Sequence, residues 1–492
     1  MRRRVTMTVL ASAIMAASGG VAHAATLEVG PGKTYATPCD AIAAAQPNDV
    51  VEVAAGTYTD TCSIGVKGLT VRGVSGRPKI DLSATEHPSG YKGIYVIDAD
   101  DVTLDNLELT GAHISDDNGA NGAGIRIQAA GLTVHGCYIH DNQNGILGGI
   151  SPGGGKITIE YSEFAHNGLG NGCGVGGCTH NLYISHVDEL VFQYNWSHDI
   201  ASDTADKGHL LKSRALKNTI LYNRITGEMG HDSYAVNLPN GGLTILVGNL
   251  IEKGPNGDNT ILLSYGEEGA SNPDKRIFLA NNTFVNDASG GMFVKVADGT
   301  LVAHNNLFVG PGTVSSTGAL SADNISGLDP MLVNQAMFDY HLQAASPVID
   351  KGVDPGKADA FSLTPTDEYV HPLKGVKRKS DGKLDVGALE FGTDPNGMGG
   401  SGATGSSTTS AGVGVGGGSA TGATGAGGAS ATGSGSASTG SGGAGGGGAT
   451  GGSATGGCGC EVAGRESGSS TLALVGLGLA VAAMGRKRRQ AR

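Results

Sequence analysis

Short stretches of alternating apolar and polar residues recur along the chain between residues 25 and 392. Alternation with a period of two predicts half-buried β-strands. Each stretch carries a Gly, Ser or Asn at a comparable place. These anchors are Gly73, Asn106, Gly136, Ser162, Asn195, Asn223, Asn249, Asn282 and Asn306. Successive anchors lie 24 to 33 residues apart, a length that fits three short strands and three turns. The pattern therefore predicts a parallel β-helix with one coil per repeat.

The anchors of the later repeats are all asparagine, which predicts a ladder of stacked side chains at one corner of the coils. Asparagine can hydrogen-bond its neighbour, and it tolerates the left-handed backbone of a tight turn. We therefore expect these residues to be structural rather than catalytic. The open edge of the first coil needs a cover, and residues 39–45 predict a short N-terminal capping helix there.

Composition separates the coils from a second region. Glycine supplies 85 of 492 residues, and much of the excess lies between residues 398 and 457, where Gly, Ala, Ser and Thr occur without charge or aromatic rings. Such a segment cannot bury a core, so we interpret residues 393–457 as a disordered linker. The net charge of −12 argues against nucleic acid as a general partner.

The N-terminus has the order of a secretory signal. Three arginines precede an apolar run at residues 5–17, and Ala22-His23-Ala24 offers the small residues that signal peptidase cleaves between. Residues 1–24 are therefore predicted to be a signal peptide, and the mature chain is predicted to begin at Ala25. The protein is expected to be exported.

The C-terminus, residues 458–492, combines Cys458-Gly459-Cys460, a short apolar segment at 470–485 and a cluster of arginines. It resembles the MYXO-CTERM sorting tail of myxobacterial surface proteins. The resemblance implies processing by a sorting protease and display on the cell surface or outer membrane of a Gram-negative bacterium, with release into the medium as an alternative. A plain single-pass transmembrane anchor is the other reading, because the basic residues follow the apolar segment.

Seven cysteines fit an exported chain. Cys39 can pair with Cys62, and Cys173 can pair with Cys178 across a four-residue loop. Cys137 lies inside a strand-like run and is predicted to be a buried free thiol. A zinc site at the second pair lacks further ligands at suitable spacing.

Phrases beyond the last repeat, at 328–330, 340–342, 346–350 and 385–388, resemble the closing segment of secreted right-handed parallel β-helix proteins of the pectate-lyase-like superfamily. The resemblance covers residues 25–392. It implies an all-β, single right-handed parallel β-helix of about nine or more coils, closed by this segment. The superfamily includes polysaccharide-degrading enzymes, but the architecture also hosts hydrolases, adhesins and inert surface proteins.

Residues 178–268 are the most polar part of the repeats. Tyr183, Lys212, Asn237 and Ser264 occupy matching positions on successive coils, so we expect them in one line about 4.8 Å apart. Such a line suits a linear polymer. The predicted substrate-binding residues are Tyr183, Asn237, Asn240, Tyr265 and Glu267.

Lys212 and Arg214 are two residues apart on a predicted strand and should share one face. A guanidinium recognises a carboxylate bidentately, and a lysine beside a second cation can serve as a base. β-Elimination on a uronic-acid polymer requires both functions. The chain resembles β-helix polysaccharide lyases, which use basic side chains to neutralise the carboxylate and to remove the proton. A solvated surface pair is the alternative.

Further catalytic candidates surround this pair. His209 lies three residues before Lys212 and is expected to point to the opposite face, unless a bulge at Gly208 reverses it. His198 and His231 each precede an aspartate that could orient the ring of a general acid or base. Tyr234 could protonate the leaving group or stack on a sugar. Each of these residues could instead pack or face solvent.

Three aspartates, Asp199, Asp203 and Asp206, crowd one loop and predict a calcium site, with a solvated acidic turn as the alternative. The expected partner is an acidic polysaccharide bound by a monomer. A non-catalytic glycan-binding or adhesive protein is the main alternative. A glycoside hydrolase is the second and weaker alternative, because the adjacent carboxylates Asp100-Asp101 and Asp116-Asp117 lie coils away from Gly208-His209.

Overall fold

The computed structural model describes residues 24–84, 92–115, 121–148, 154–168, 179–201 and 208–396. The predicted signal peptide, linker and tail lie almost wholly outside these ranges and stay predictions. So do the predicted pair Cys173 and Cys178, and the aspartates Asp203 and Asp206. In the described part of the chain, no helix is long and apolar enough to cross a membrane.

Three long parallel sheets form the body of the molecule, and the chain visits them in the same order in each coil. Sheet 1 has eleven strands. They are Thr26–Val29, Val50–Ala54, Thr70–Val74, Val102–Asp105, Leu132–His135, Lys156–Glu160, Glu189–Gln193, Lys217–Leu221, Leu243–Val247, Arg276–Ala280 and Thr300–His304. Inward Val, Leu and Ile side chains alternate with outward polar ones along these strands, as the sequence pattern predicts.

Sheet 2 also has eleven strands, and sheet 3 has ten. The strands of sheet 2 are Thr57–Tyr58, Lys79–Asp81, Glu108–Thr110, Tyr138–His140, Glu163–Ala165, Trp196–His198, Arg224–Thr226, Leu250–Lys253, Thr283–Asn286, Leu307–Val309 and Ile325–Ser326. The strands of sheet 3 are Cys62–Ile64, Gly93–Ile97, Ala123–Ile127, Asn144–Gly148, Leu182–Ile184, Leu211–Ser213, Val236–Leu238, Ile261–Tyr265, Met292–Val296 and Thr313–Ser315. The inward side chains of all three sheets form one continuous apolar core. The predicted parallel coils are confirmed.

The first coil is covered by a helix at Pro38–Ala44, one residue from the predicted bounds. Thr37 caps it by accepting a hydrogen bond from the backbone N–H of Asp40, and Pro38 fits the first turn because no hydrogen bond is lost there. A disulfide joins Cys39 to Cys62 and ties the helix to sheet 3. Cys137 is a buried free thiol, as predicted, and burial raises its pKa to about 12.

The asparagine ladder is confirmed at the turn between sheets 1 and 2. The Oδ1 atom of Asn249 accepts hydrogen bonds from the backbone and side chain of Asn223, at 3.0 and 2.9 Å. The same pair of bonds joins Asn249 to Asn282 and recurs between further neighbours.

Among the nine predicted anchors, only Asn106 and Gly136 adopt the left-handed backbone, with φ of 53° and 60°, and the later ladder asparagines do not. The left-handed residue is the one before the ladder position, and tyrosine occupies it in three successive coils with φ of 50°, 56° and 53°. These residues are Tyr161, Tyr194 and Tyr222, whose rings stack at 4.9 and 5.5 Å on the outer surface. The stacked rings and the ladder hydrogen bonds fix the backbone on both sides of this turn, so its left-handed conformation is tolerated.

The segment after the last coil does not close the end of the β-helix as expected. It forms three short antiparallel hairpins, made by the strands Leu332–Asn334 with Asp339–Leu342, Lys357–Ala358 with Phe361–Ser362, and Asp367–Val370 with Lys374–Lys377. Its apolar side chains pack on outward residues of sheets 1 and 2, such as Ile245 and Leu250. The segment therefore covers the side of the coils. Sheet 3 takes no part in these apolar contacts.

Candidate functional site

The predicted line of polar side chains exists on the outer face of sheet 3. Tyr183 pairs in register with Lys212, Lys212 with Asn237, and Asn237 with Ser264. The next coil adds Lys295 beside Ser264. We call these five residues the site row. Their neighbours along each strand point into the core, so alternation fixes the row on the outside.

Lys212 and Arg214 share this face, as predicted, and both contact one carboxylate. The Nζ atom of Lys212 lies 3.6 Å from Oε1 of Glu268, and an Nη atom of Arg214 lies 2.6 Å from Oε2. The lysine side chain is only 2% exposed and the arginine 8%. The pair is therefore a desolvated cationic site that holds a carboxylate, and not a solvated surface pair.

Arg214 is held in place by further contacts. Its Nε donates to the hydroxyl of Tyr183 at 2.8 Å, and its Nη1 donates to Oδ1 of Asn240. The Nζ atom of Lys212 lies over the ring of Tyr183, 5.2 Å from its centroid. Asn240, predicted to contact substrate, thus orients the guanidinium, and its amide donates to Ser271. These bonds fix the direction from which an anion can approach.

Glu267 organises the other side of the row. It accepts hydrogen bonds at 3.0 Å from the hydroxyl of Tyr234 and from Nδ2 of Asn237, and it lies 3.5 Å from Nζ of Lys295. The two adjacent glutamates thus serve different groups, since Glu268 neutralises the Lys212 and Arg214 pair. Three cations and two carboxylates leave one excess positive charge around the row.

The prediction that His209 points away from Lys212 is wrong. Leu210 and Leu211 both enter the core, so the strict alternation breaks just before the strand and returns His209 to the outer side. Its ring stacks on His180 at 4.8 Å and lies 5.0 Å from the ring of Tyr234. His180 also contacts Tyr183 edge-on at 5.6 Å. A row of aromatic side chains therefore runs beside the site row.

Both histidines of this stack are neutral. Burial lowers the pKa of His180 well below its ordinary value, and the charges of Lys212 and Arg214 add to this. Burial likewise lowers the pKa of His209, with contributions from His180 and Lys212. Nδ1 of His180 accepts from the backbone N–H of His209 at 3.0 Å. Its proton therefore lies on Nε2, which has no hydrogen-bond partner.

Three other predicted site residues, Tyr265, His231 and His198, lie away from the site row. Tyr265 points into the core, because it is one residue from the outward Ser264, and its hydroxyl donates to the carbonyl of Gly242. His231 is not oriented by the aspartate that follows it. Asp232 instead forms a fully buried ion pair with Lys253 at 2.7 Å, while His231 lies 3.9 Å from Asp258.

His198 belongs to sheet 2 and does not join Lys212. Its ring stacks on Trp196 at 3.7 Å, and its nitrogens contact Asp199 at 3.0 Å and Glu163 at 3.4 Å. Burial opposes its charge, but the hydrogen bonds to Asp199 and Glu163 outweigh burial and raise its pKa. The ring is therefore held by two carboxylates at sheet 2, away from the site row.

His198, Asp199 and Glu228 are the described group whose spacing could hold a metal ion. The group does not fit calcium, which takes oxygen ligands, because one ligand is an imidazole and Glu228 already pairs with Arg224 at 2.9 Å. The predicted calcium site therefore depends on Asp203 and Asp206, which lie outside the described residues. We derive no catalytic step through calcium.

Several buried side-chain atoms of sheet 3 and of the turns before it have no hydrogen-bond partner among the described residues. Among the described residues, buried side-chain atoms without a hydrogen bond include Arg126 Nη1, Asn144 Nδ2, Thr179 Oγ1, His180 Nε2, Asn237 Oδ1 and Ser264 Oγ. Buried polar groups in folded proteins are nearly always paired, and an unpaired one costs about 1–3 kcal/mol. Of these residues, Arg126, Asn237 and Ser264 lie on the outer face of sheet 3, which their unpaired atoms mark as a candidate binding surface.

Three members of this surface escaped the sequence reasoning as site residues: His180, Glu268 and Lys295. His180 precedes Tyr183 by the same three residues that separate His209 from Lys212. That repeated spacing was a readable signal. Glu268 follows a strand in a turn whose Gly266 and Gly269 have positive φ, and nothing in its local sequence indicates which cation it meets.

Comparisons with known proteins agree with this architecture. A family model described as "Right handed beta helix region" matches residues 58–251. The crystal structure of pectate lyase Pel9A is similar with a TM-score of 0.52 and 15% identity, covering 76% of this chain and 98% of that one. The fold is a right-handed parallel β-helix.

Other solved structures align less closely. An alginate lyase from Paenibacillus sp. str. FPU-7 has a TM-score of 0.34 at 13% identity, covering 61% of this chain and 99% of that one. The pectin methylesterase from Aspergillus niger has a TM-score of 0.25 at 12% identity, covering 63% and 93%. No curated protein sequence matches the chain. The likeness therefore concerns the fold, and the function must be argued from the site.

Proposed function

We propose that the protein is an exported enzyme that cleaves a uronic-acid-containing polysaccharide by β-elimination. The observation that carries the proposal is the desolvated pair of Lys212 and Arg214 on one carboxylate, beside the unpaired Oδ1 of Asn237 and Oγ of Ser264 in the site row. A row along the coils suits a linear polymer because each coil advances by about 4.8 Å.

Glu268 supports the choice of an acidic sugar. Its carboxylate already lies between the two cations, so the pair has the geometry and charge that a uronate carboxylate needs. A substrate carboxylate would take the place of Glu268, whose side chain is 20% exposed at the edge of the row. Arg214 would then neutralise the carboxylate, which makes the proton on the adjacent carbon more acidic.

The elimination itself needs a base and a proton donor. Lys212 first loses its own proton to solvent and, as a neutral amine, then removes the proton from the carbon next to the carboxylate, while the bond from the neighbouring carbon to the glycosidic oxygen breaks. The electron pair forms a carbon–carbon double bond in the new non-reducing end. The leaving oxygen takes a proton from the hydroxyl of Tyr183. Because that hydroxyl accepts its hydrogen bond from Arg214, the bond to Arg214 does not use the hydroxyl hydrogen.

A non-catalytic glycan-binding protein is the second candidate. It is favoured by the same unpaired atoms, since Asn237 and Ser264 can bind sugar hydroxyls without any reaction. The hydrolase alternative has less support. The carboxylates that flank the row, Glu267 and Glu268, are both held by cations, whereas an acid and a base pair needs one protonated member.

The test is incubation of the protein with polygalacturonate, alginate and glycosaminoglycans, with and without calcium. We expect an ultraviolet absorbance from the unsaturated product to grow with new reducing ends. New reducing ends without that absorbance would establish hydrolysis instead. Retention on a polymer without any new ends would establish the binding protein.

We also propose display on the cell surface through residues 458–492. The support is the order of Cys458-Gly459-Cys460, the apolar segment and the arginines. Deleting residues 458–492 should release the protein into the medium, which immunoblots of cells and medium would measure. An unchanged distribution would contradict the proposal.

A further inference from the structure

Arg126 lies on the same face of sheet 3 as the site row, at its N-terminal side. It pairs in register with Leu147, and Leu147 pairs with Tyr183. Its neighbours Ile125 and Ile127 enter the core, so its side chain is on the outside. Three coil spacings, roughly 14 Å, therefore separate Arg126 from Lys212 along the row.

Arg126 is a buried cation with no partner among the residues that the structure describes. The residue is 5% exposed, yet it makes no hydrogen bond or ion pair with any residue that the structure describes, and its Nη1 is a buried orphan. Buried charges in proteins are normally paired or hydrogen-bonded, because desolvating an isolated ion is costly. The other described arginine on this face, Arg214, has a carboxylate, a phenol and an amide around it.

A second cation adds to the imbalance. Lys92 precedes the strand that pairs with that of Arg126, and it also forms no ion pair with a described residue. Burial lowers the pKa of Lys92, and the positive charge of Arg126 lowers it further. The pKa of Arg126 is lowered by burial, with no carboxylate acting on it. Two cations thus lie close together with nothing in the described structure to compensate them.

We propose that Arg126, assisted by Lys92, is a second carboxylate-binding subsite for the acidic polysaccharide, three coils from the reaction centre at Lys212. This inference rests on the proposed function. A linear uronate polymer lying along sheet 3 would bring one carboxylate to Arg214 and another, a few sugars away, to Arg126. The subsite would make affinity depend on the length of the substrate and on the charge of the distant sugar.

The test compares octasaccharides with disaccharides, since only the longer chain can reach both cations. Binding of galacturonate and mannuronate series is measured by calorimetry on the full mature chain carrying Lys212→Met, which prevents cleavage. Adding Arg126→Met should weaken octasaccharide binding by about tenfold or more, while disaccharide binding changes less than about twofold. Arg126→Lys should retain most of the affinity. Methyl-esterified octasaccharides should show no effect of Arg126→Met.

The controls separate this inference from the proposed function. Arg72→Met, at an exposed arginine of sheet 1 that pairs with Glu52, should leave both affinities unchanged. If the Lys212→Met parent binds the octasaccharide and Arg126→Met does not weaken it, the subsite is refuted and the proposed function stands. If the parent binds neither series and the wild type cleaves none of the three polymer classes, both fail. Without ligand, Arg126→Met should keep or raise the melting temperature, and a clear fall would show a structural role instead.

Discussion

The asparagine ladder and the site row both run across successive coils, but their polar atoms are in opposite states. In the ladder, Oδ1 of Asn249 accepts from the backbone N–H and Nδ2 of Asn223, and its Nδ2 donates to Oδ1 of Asn282 and to the carbonyl of Ile220. In the site row, Asn237 is equally buried, but its Oδ1 has no partner. The same side chain therefore completes the fold in one region and is available to a ligand in the other.

The difference shows that the hydrogen bonding of a buried polar group, and not its burial alone, distinguishes a structural residue from a ligand-binding one. A buried amide that is fully bonded stabilises the fold, whereas a buried amide left unpaired costs stability until something binds it. Neither the residue type nor its burial alone carries that distinction. It depends on whether the next coil supplies a partner, as Asn282 does for Asn249.

The largest expected effect is on catalysis. Lys212→Met removes the proposed base and should lower product formation by roughly 10²–10⁴-fold, while the free energy of unfolding changes little. Lys217→Met is the matched control, because Lys217 lies on the next strand, in sheet 1, where it is partly exposed and paired with Glu189. It should keep activity within about twofold. Comparable rates for Lys212→Met and wild type would remove Lys212 from the mechanism.

The second effect compares the two asparagines directly. Asn249→Ala removes several hydrogen bonds and leaves polar atoms of the neighbouring asparagines unpaired, so it should lower the free energy of unfolding by about 3–5 kcal/mol. Asn237→Ala removes one bond to Glu267 and one orphaned oxygen, and should cost less than about 1 kcal/mol. Urea unfolding measures both.

Affinity for an acidic octasaccharide should show the reverse order, falling for Asn237→Ala and not for folded Asn249→Ala. Equal losses of stability at the two positions would contradict the distinction between the ladder and the site row.

The smallest effect is a pH dependence of stability. Burial lowers the pKa of His209, so below about 6.5 the unfolded chain takes up a proton that the folded chain does not. Stability is then lost as the pH falls, by up to about 1.4 kcal/mol per pH unit for this histidine. His209→Gln should flatten the decline between pH 7 and pH 5 in urea unfolding.

Other groups act in the opposite direction over this range, since burial raises the pKa of Glu368 to about 7. The informative quantity is therefore the difference between wild type and variant at each pH. His341→Gln, at an exposed histidine, is the control and should keep the wild-type slope. A slope of His209→Gln equal to that of wild type would contradict the lowered pKa, because His209 would then take up its proton equally well in the folded and unfolded states.

Most of the fold could be predicted from the sequence, because a β-helix repeats one local pattern. The alternation and the coil length placed Tyr183, Lys212, Asn237 and Ser264 in one line, and the register confirms it. The same alternation rules out Tyr265 beside Ser264, so including both among surface residues contradicted the pattern itself. The side of the coils that the C-terminal segment covers depends on tertiary packing and left no local signal.

The site was less predictable because its details depend on breaks in the pattern. Leu210 and Leu211 both enter the core, which turns His209 toward the site, and periodicity cannot foresee such a pair. His198 occurs between two site coils in the sequence but belongs to sheet 2. Glu268 reaches Arg214 from a turn two coils later, and only the stacking of coils brings the two together.

The most direct test of the account is a crystal structure of the Lys212→Met protein with a bound uronate octasaccharide. The account predicts a saccharide along sheet 3 from Arg126 toward Lys295, with one carboxylate on Arg214 in the place of Glu268. It also predicts sugar oxygens within hydrogen-bond distance of Asn237 and Ser264. A saccharide bound on sheet 2, beside Trp196 and His198, with the site row unchanged would contradict it.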